Sequence, residues 1–340
     1  MEKKATIYDI AKALDITVST VSRALRDLPV VSKSTRKAVA EMAEKMNYRP
    51  NTLASALKSG KTFIIGVIVP SVQSHFFASI IHSIEEGLKD SGYRILLYQT
   101  NESHMSEVKG VRTLLEAQVD GIIASLSLET DDLSHFMEIL ENNKPLILFD
   151  RISDKLTVPT VTINDYKAGF LAASHLLDKG FKKIAFLTTD REIGIFRSRL
   201  EGYRDALISR GLPIIPEHII YGGLSIKDGR YGVGKLFRNE VDQPDAIIAG
   251  DDFTALGAIK KLKEIGKMPP AVGVMGFANE VFSAYISPSL STVDQHPNQM
   301  GHACAKMFLE MLQRKTPYDK IRNVVIEPTI VDRQSTGTFL

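Results

Sequence analysis

Apolar residues recur every three or four positions over three short stretches near the start of the chain. Beyond them, continuous apolar runs alternate with amphipathic segments. In the first stretch Ile7, Ile10, Ala11 and Leu14 share one helical face, and Thr6 stands where an N-cap belongs. Asp15 and Ile16 break that period. Thr17 can cap a second helix, Val18 to Leu25, in which Val21, Ala24 and Leu25 turn inward while Ser19, Thr20, Ser22 and Arg23 stay polar. Ser32 then caps a third helix whose Val39, Met42, Ala43 and Met46 cover the first two. Two short helices joined by about three residues are the helix-turn-helix pattern, whose second helix presents its N-terminal side chains to base edges in the major groove.

After Tyr48-Arg49-Pro50, the segment Asn51 to Lys58 has a good N-cap in Asn51 and a terminator in Gly60. A helix this short is marginal in water, so it is expected to form only against a partner helix or DNA. Ala54 and Leu57 share its apolar face. Small Ala54 permits close approach of a twin helix, and Leu57 can wedge between base steps in the minor groove.

From Phe63 onward strands and helices alternate, which predicts parallel sheets. One series of strands reads Phe63–Val69, Arg94–Tyr98, Gly121–Ala124 and Leu146–Asp150. The second reads Lys183–Leu187, His218–Tyr221, Ala246–Gly250 and Val272–Phe277. The order repeats after about 120 residues, so the body is expected to be two doubly wound lobes facing each other across a cleft. The predicted fold is therefore α/β. An all-α DNA-binding domain (1–50) and hinge helix (51–61) precede a two-lobed domain (62–340), with lobe 1 at about 62–164 plus 295–325 and lobe 2 at about 165–294.

Charge sharpens this division. Residues 1–61 hold 12 Lys and Arg against 6 Asp and Glu, whereas the remainder holds 30 against 34. A basic head on a mildly acidic body suits a polyanionic partner. With 340 residues, 44% of them apolar, the chain can bury a sizeable core, which excludes a disordered or low-complexity protein. The single cysteine, Cys304, excludes internal disulfides and Cys-based zinc sites and fits a reducing compartment. No apolar run is long enough to span a bilayer, and Met1 to Thr6 leads into charged residues rather than a signal-peptide core. A cytoplasmic location with no membrane partner is expected.

Three passages together carry a resemblance: Thr6-Ile7-Tyr8-Asp9-Ile10-Ala11; Val18-Ser19-Thr20-Val21-Ser22-Arg23-Ala24-Leu25; and Asn47-Tyr48-Arg49-Pro50-Asn51 with Ala54 and Leu57. The chain resembles the lactose-repressor/galactose-repressor (LacI/GalR) family, without a gap across the whole head and onward through Gln295 and Met300-Gly301. The resemblance implies a transcriptional regulator, usually a repressor, with a periplasmic-binding-protein-like effector domain. It implies a homodimer on palindromic operator DNA, base reading by Val18, Ser19 and Arg23, and a minor-groove lever at Leu57. The DNA-binding set is accordingly Thr6, Thr17, Val18, Ser19, Thr20, Ser22, Arg23, Asn51, Ala54 and Leu57. Asp15 stands where the family usually has a turn glycine, and Asp tolerates the left-handed conformation needed there.

Strand ends name the effector candidates. Phe76 and Phe77 can stack on a sugar or base, and Asp150 can accept from ligand hydroxyls. By the resemblance, Arg199 occupies a ligand-facing arginine position and Asp251 a position often held by Asn or Asp. Ala278 departs from the pattern, since many sugar-binding relatives carry an acceptor Asp there; Asn279 or Glu280 could compensate. No tetramerising heptad follows Tyr318.

Gly229-Arg230-Tyr231-Gly232-Val233-Gly234-Lys235-Leu236 nearly spells a P-loop. Leu236 replaces the magnesium-binding hydroxyl, and no buried strand feeds the glycines. The eight histidines show no helical metal-ligand spacing, and no catalytic constellation appears, so neither enzyme activity, cofactor nor metal is expected. The alternative is a cytoplasmic solute-binding sensor that does not touch DNA. The helix-turn-helix pattern argues against it.

Overall fold

Capping chemistry decides where the first three helices begin. Thr6 and Asp9 form a reciprocal box at the start of α1 (Ile7–Leu14), where the Thr6 hydroxyl accepts from the Asp9 N–H and the Asp9 carboxylate accepts from the Thr6 N–H at 2.8 Å. Asp15 ends α1 in the left-handed conformation (φ 51°), as a turn residue without a glycine must. Thr17 caps α2 (Val18–Leu25) by accepting from Thr20 N–H at 3.2 Å. Ser32 does the same for Thr35 at the start of α3 (Lys33–Lys45), also at 3.2 Å. Ile10, Val21 and Val39 meet at the centre, with Ala11, Ala24, Val31 and Ala43 around them.

The computed structural model describes residues 5–25, 27–48, 60–191, 193–314, 318 and 322–337, and divides into Met1–Thr62 and Phe63–Leu340. The expected hinge segment, with Asn51, Ala54 and Leu57, lies outside the described residues.

The larger unit holds two six-stranded sheets. The first comprises β1 (Ile64–Val69), β2 (Arg94–Gln99), β3 (Ile122–Ala124), β4 (Leu146–Phe149), β5 (Thr160–Ile163) and, from far along the chain, β11 (Asn323–Ile326), in the order β11-β5-β4-β3-β1-β2. The second comprises β6 (Ile184–Thr188), β7 (Ile219–Tyr221), β8 (Ala246–Ala249), β9 (Gly273–Phe277), β10 (Ser291–Asp294) and β12 (Thr329–Val331), in the order β12-β10-β9-β8-β6-β7. All pairings are parallel except β10 with β12. The two orders are equivalent, which is the physical content of the sequence repeat. Strands β3, β4, β6, β8 and β9 are buried on both faces, as their unbroken apolar runs require.

The covering helices are α4 (His75–Leu88), α5 (His104–Glu116), α6 (Ser134–Glu141), α7 (Asp165–Asp178), α8 (Gly194–Ser209), α9 (Ile226–Leu236), α10 (Asp252–Glu264) and α11 (Pro297–Leu312). The chain passes between sheets three times: at Asn164, at Gln295-His296 and after Ile326. The first and third passages touch, Asn164 N–H donating to the Ile326 carbonyl at 3.0 Å. Reading the sequence left the last passage out of both lobes. It brings β12 and the following turn to the second sheet, where the Ser335 hydroxyl donates to the Val274 carbonyl at 2.6 Å.

The P-loop-like glycines belong to α9 and serve packing. A Cβ on Gly229 would lie 2.0 Å from the Thr254 carbonyl oxygen, and one on Gly257 would lie 2.1 Å from that of Ile226, so α9 and α10 touch backbone to backbone. Among the described residues no helix is long and apolar enough to cross a membrane.

Candidate functional site

Two surfaces carry the predicted functional residues. On the small unit, Thr17, Ser19 and Arg23 are exposed and Val18, Thr20 and Ser22 half-buried along one side of α2. The Thr17 hydroxyl lies 2.8 Å from that of Ser19 and 2.9 Å from that of Thr20, so the start of α2 presents a knot of hydroxyls. No ion pair engages Arg23 among the described residues, which leaves its guanidinium for an external acceptor. Thr6 is exposed too, but its hydroxyl donates to Asp9 at 2.7 Å within the α1 cap.

The second surface is a cavity of about 510 Å³ in the larger unit, between the carboxyl ends of the two sheets. Phe76, Phe77, Asp150, Arg199 and Asp251 all line it, together with Ala278. The Phe77 ring packs edge-on against Phe76 (5.1 Å between centroids) and Phe149 (6.4 Å), which holds it as an apolar wall. Asp150 ends β4 with φ 55° and is buried. Burial pushes its carboxyl up to about 6, against the pull of Arg151 and Arg199. Its neighbour Arg151 stands 4.0 Å away and pairs more closely with Glu102, at 2.6 Å.

Arg199 is almost wholly buried and already bound within the protein. Its Nε donates to Asp165 at 2.8 Å, an Nη donates to the Gly250 carbonyl at 3.3 Å, and its plane lies 4.5 Å from the Phe277 ring centroid. Asp165 is held above the usual carboxylate range by burial, against the opposing pull of Arg199. Asp251 caps α10, accepting from Thr254 N–H at 2.7 Å, and burial raises its carboxyl as well. The adjacent Asp252 is pushed up to about 7 by burial while it accepts from Thr292, Ser283 and the Glu280 N–H.

Of the two residues that could compensate for Ala278, Asn279 is engaged within the protein, while Glu280 lines the cavity and holds protein donors of its own. Asn279 donates to Asp294 at 3.0 Å and accepts from Arg333 at 2.7 Å, so both ends of its amide are engaged. Glu280 reaches across the cleft instead. Its carboxylate accepts from Ser74 Oγ at 2.6 Å, His75 N–H at 3.0 Å and Phe76 N–H at 3.4 Å, at the positive end of α4 in the opposite lobe. Reading the sequence missed this clasp, as it missed Asp165 as the partner of Arg199. Glu280 and Ser74 lie 206 residues apart, and no local pattern links them.

A family profile described as "Bacterial regulatory proteins, lacI family" matches residues 6–51, and one described as "Periplasmic binding proteins and sugar binding domain of LacI family" matches residues 62–333. The chain belongs to the LacI family. The catabolite control protein A of Priestia megaterium is 33% identical over 333 residues, covering 97% of this chain and 99% of its own. The transcriptional repressor PurR of Aliivibrio fischeri is 30% identical over 341 residues, covering 99% of each. Among solved structures, a lac repressor dimer bound to operator and an anti-inducer superposes with TM-score 0.85 at 24% identity, over 98% of this chain and 99% of that one. This LacI-family member is thus a transcriptional regulator, not an enzyme, and pairs a helix-turn-helix with an effector-binding domain.

Proposed function

We propose that this regulator represses transcription as a cytoplasmic homodimer on a palindromic operator, and that an uncharged, hydroxyl-rich ligand of the sugar class, bound in the cavity, changes its operator affinity. The observation that carries the ligand class is the charge balance of the cavity wall. Arg151 and Arg199 pair most closely with Glu102 and Asp165, while Asp150, 4.0 Å from Arg151, and Asp251 add two further carboxylates to the wall. Carboxylates outnumber cations on this wall, Lys227 being the third cation, so it favours hydroxyl donors over phosphates. Phe77 supplies the apolar face on which a sugar ring stacks. The repressor name of the Aliivibrio fischeri relative and the operator-bound dimer support the DNA side of the reading.

On the operator, Val18, Ser19 and Arg23 read bases while Thr6, Thr17, Thr20 and Ser22 position the helices. Asn51, Ala54 and Leu57 supply the hinge. A two-helix reader covers one half-site, so two-fold symmetry in the protein calls for a palindrome in the DNA. Selection of bound sequences from random duplexes, followed by salt-dependent gel shifts with neutral sugars and their phosphates, tests the whole reading. A palindromic consensus whose binding responds to a neutral sugar is expected. No preferred sequence, or a response to phosphorylated sugars alone, overturns it.

A further inference from the structure

On the first lobe, away from the cavity lining, the fold brings together side chains that the regulator's DNA and effector chemistry leave unused. His104 begins α5, His135 lies in the first turn of α6, and Asp132 sits just before α6. Each offers one ligating atom, and these atoms all lie within 4.8 Å of one another.

His135 is the anchor. Its side chain is 2% exposed, and its Nε2 lies 3.0 Å from Oε1 of Glu107, which is fully buried. Glu107 also accepts from the Ser127 N–H at 2.8 Å and the Thr130 hydroxyl at 2.7 Å, so it acts as an acceptor throughout. Nε2 therefore carries a hydrogen, and in the neutral ring the lone pair is on Nδ1. That Nδ1 is buried with no hydrogen-bond partner. A carboxylate behind one imidazole nitrogen and an open lone pair on the other is how proteins orient a metal-binding histidine.

His104 lies beside His135, with a carboxylate near its open nitrogen rather than behind the opposite one. Its Nδ1 is also buried without a hydrogen-bond partner, with the Asp131 carboxylate 3.5 Å away, and its ring stands edge-on to that of His135 at 5.3 Å. Asp132 is oriented by Ser134, whose N–H and hydroxyl both donate to its carboxylate.

We propose that His104, Asp132 and His135 form a site for a divalent transition metal, zinc being the best match to two imidazoles and one carboxylate, with water completing a tetrahedron. Ligands at about 2.0–2.2 Å from zinc stand about 3.3 Å apart, so the donors must close in modestly on the metal. His135 is fixed by Glu107, whereas half-buried His104 and exposed Asp132 have room to move. The metal ties α5 to α6 and to the loop between β3 and α6. That loop carries Leu128, whose side chain packs against Ile193, Ile195 and Phe196 of the other lobe and whose N–H donates to Glu102 at the cavity. Zinc binding is thereby expected to stiffen the rim of the effector cavity.

Full-length protein stripped with chelator is titrated with zinc chloride by calorimetry, and with cobalt(II) by visible absorption. One equivalent is expected to bind, with a tetrahedral cobalt spectrum and a raised melting temperature. His104→Gln and Asp132→Asn should weaken binding at least about tenfold while leaving the metal-free melting temperature unchanged. His302→Gln serves as the control at a second histidine–carboxylate cluster, His82 and His302 beside Glu86, and should bind as the parent does. Absence of saturable one-to-one binding, or binding lost in the His302 variant but kept in the His104 variant, overturns the assignment.

Discussion

Replacing Glu280 by Gln tests whether the two lobes are held by one carboxylate. In the parent, three donors at the start of α4 converge on its oxygens from the opposite lobe. The amide keeps one acceptor, so it can serve Ser74 and Phe76. It then turns an NH2 toward the His75 N–H, and the negative charge at the helix end is gone. Losing one hydrogen bond to a charged acceptor removes about 1.5–3 kcal/mol, of which opening to water recovers part. A net shift of about 2 kcal/mol toward the open cleft, roughly thirtyfold, is expected. The only native cysteine, Cys304, is fully buried, so a fluorophore pair can be placed at Glu116→Cys and Lys263→Cys, exposed positions on the two lobes. Energy transfer should fall in Glu280→Gln, and affinity for a ligand of the closed cleft should weaken by a similar factor. Equal transfer and equal ligand affinity in parent and variant would refute the clasp.

Arg23→Ala should cost about 1–3 kcal/mol of operator affinity, measured by gel shift, with the circular dichroism spectrum unchanged; an unaltered constant removes its base-reading role. Asp150 titrates near 6 in the free cavity, and a ligand hydroxyl needs its ionised form, so proton and ligand compete. Effector affinity should be flat above about pH 7 and weaken as pH falls through 6, and Asp150→Asn should abolish that slope. Gly229→Ala should destabilise by at least about 1–3 kcal/mol in urea, because its Cβ would collide with the Thr254 carbonyl. Gly234→Ala in the same helix, with open space around it, should stabilise by about 0.5–1 kcal/mol, and equal midpoints for the two variants would discount the close helix contact.

What could be read from the residues alone was what acts locally or repeats. Thr6, Asp15, Thr17 and Ser32 reveal helix ends within four positions of themselves, and the apolar runs of β1, β3, β4, β6, β8 and β9 reveal central strands. The edge strands β2 and β7 were legible too, whereas the strands at the crossovers were hidden. Thr160–Ile163, Ser291–Asp294 and Thr329–Val331 mix hydroxyls with apolar residues and owe their conformation to a neighbour, not to their own composition. Phe76, Phe77 and Asp150 followed from the rule that ligands sit beyond strand ends, and Arg199 and Asp251 from the family resemblance. The long-range pairs that shape that cavity, Glu280 with α4 and Arg199 with Asp165, carry no sequence period at all. The same is true of His104 and His135, which stand on separate helices.

The interleaving of β11 and β12 bears on how the polypeptide reaches its folded state. Each sheet receives one edge strand from residues 323–331, β11 closing one and β12 the other. During synthesis both lobes must therefore wait with an unpaired edge until residues 323–331 have emerged, and neither can be excised as a self-sufficient piece. A lesion in this tail, even one far from operator and effector, would loosen both halves of the sensor at once.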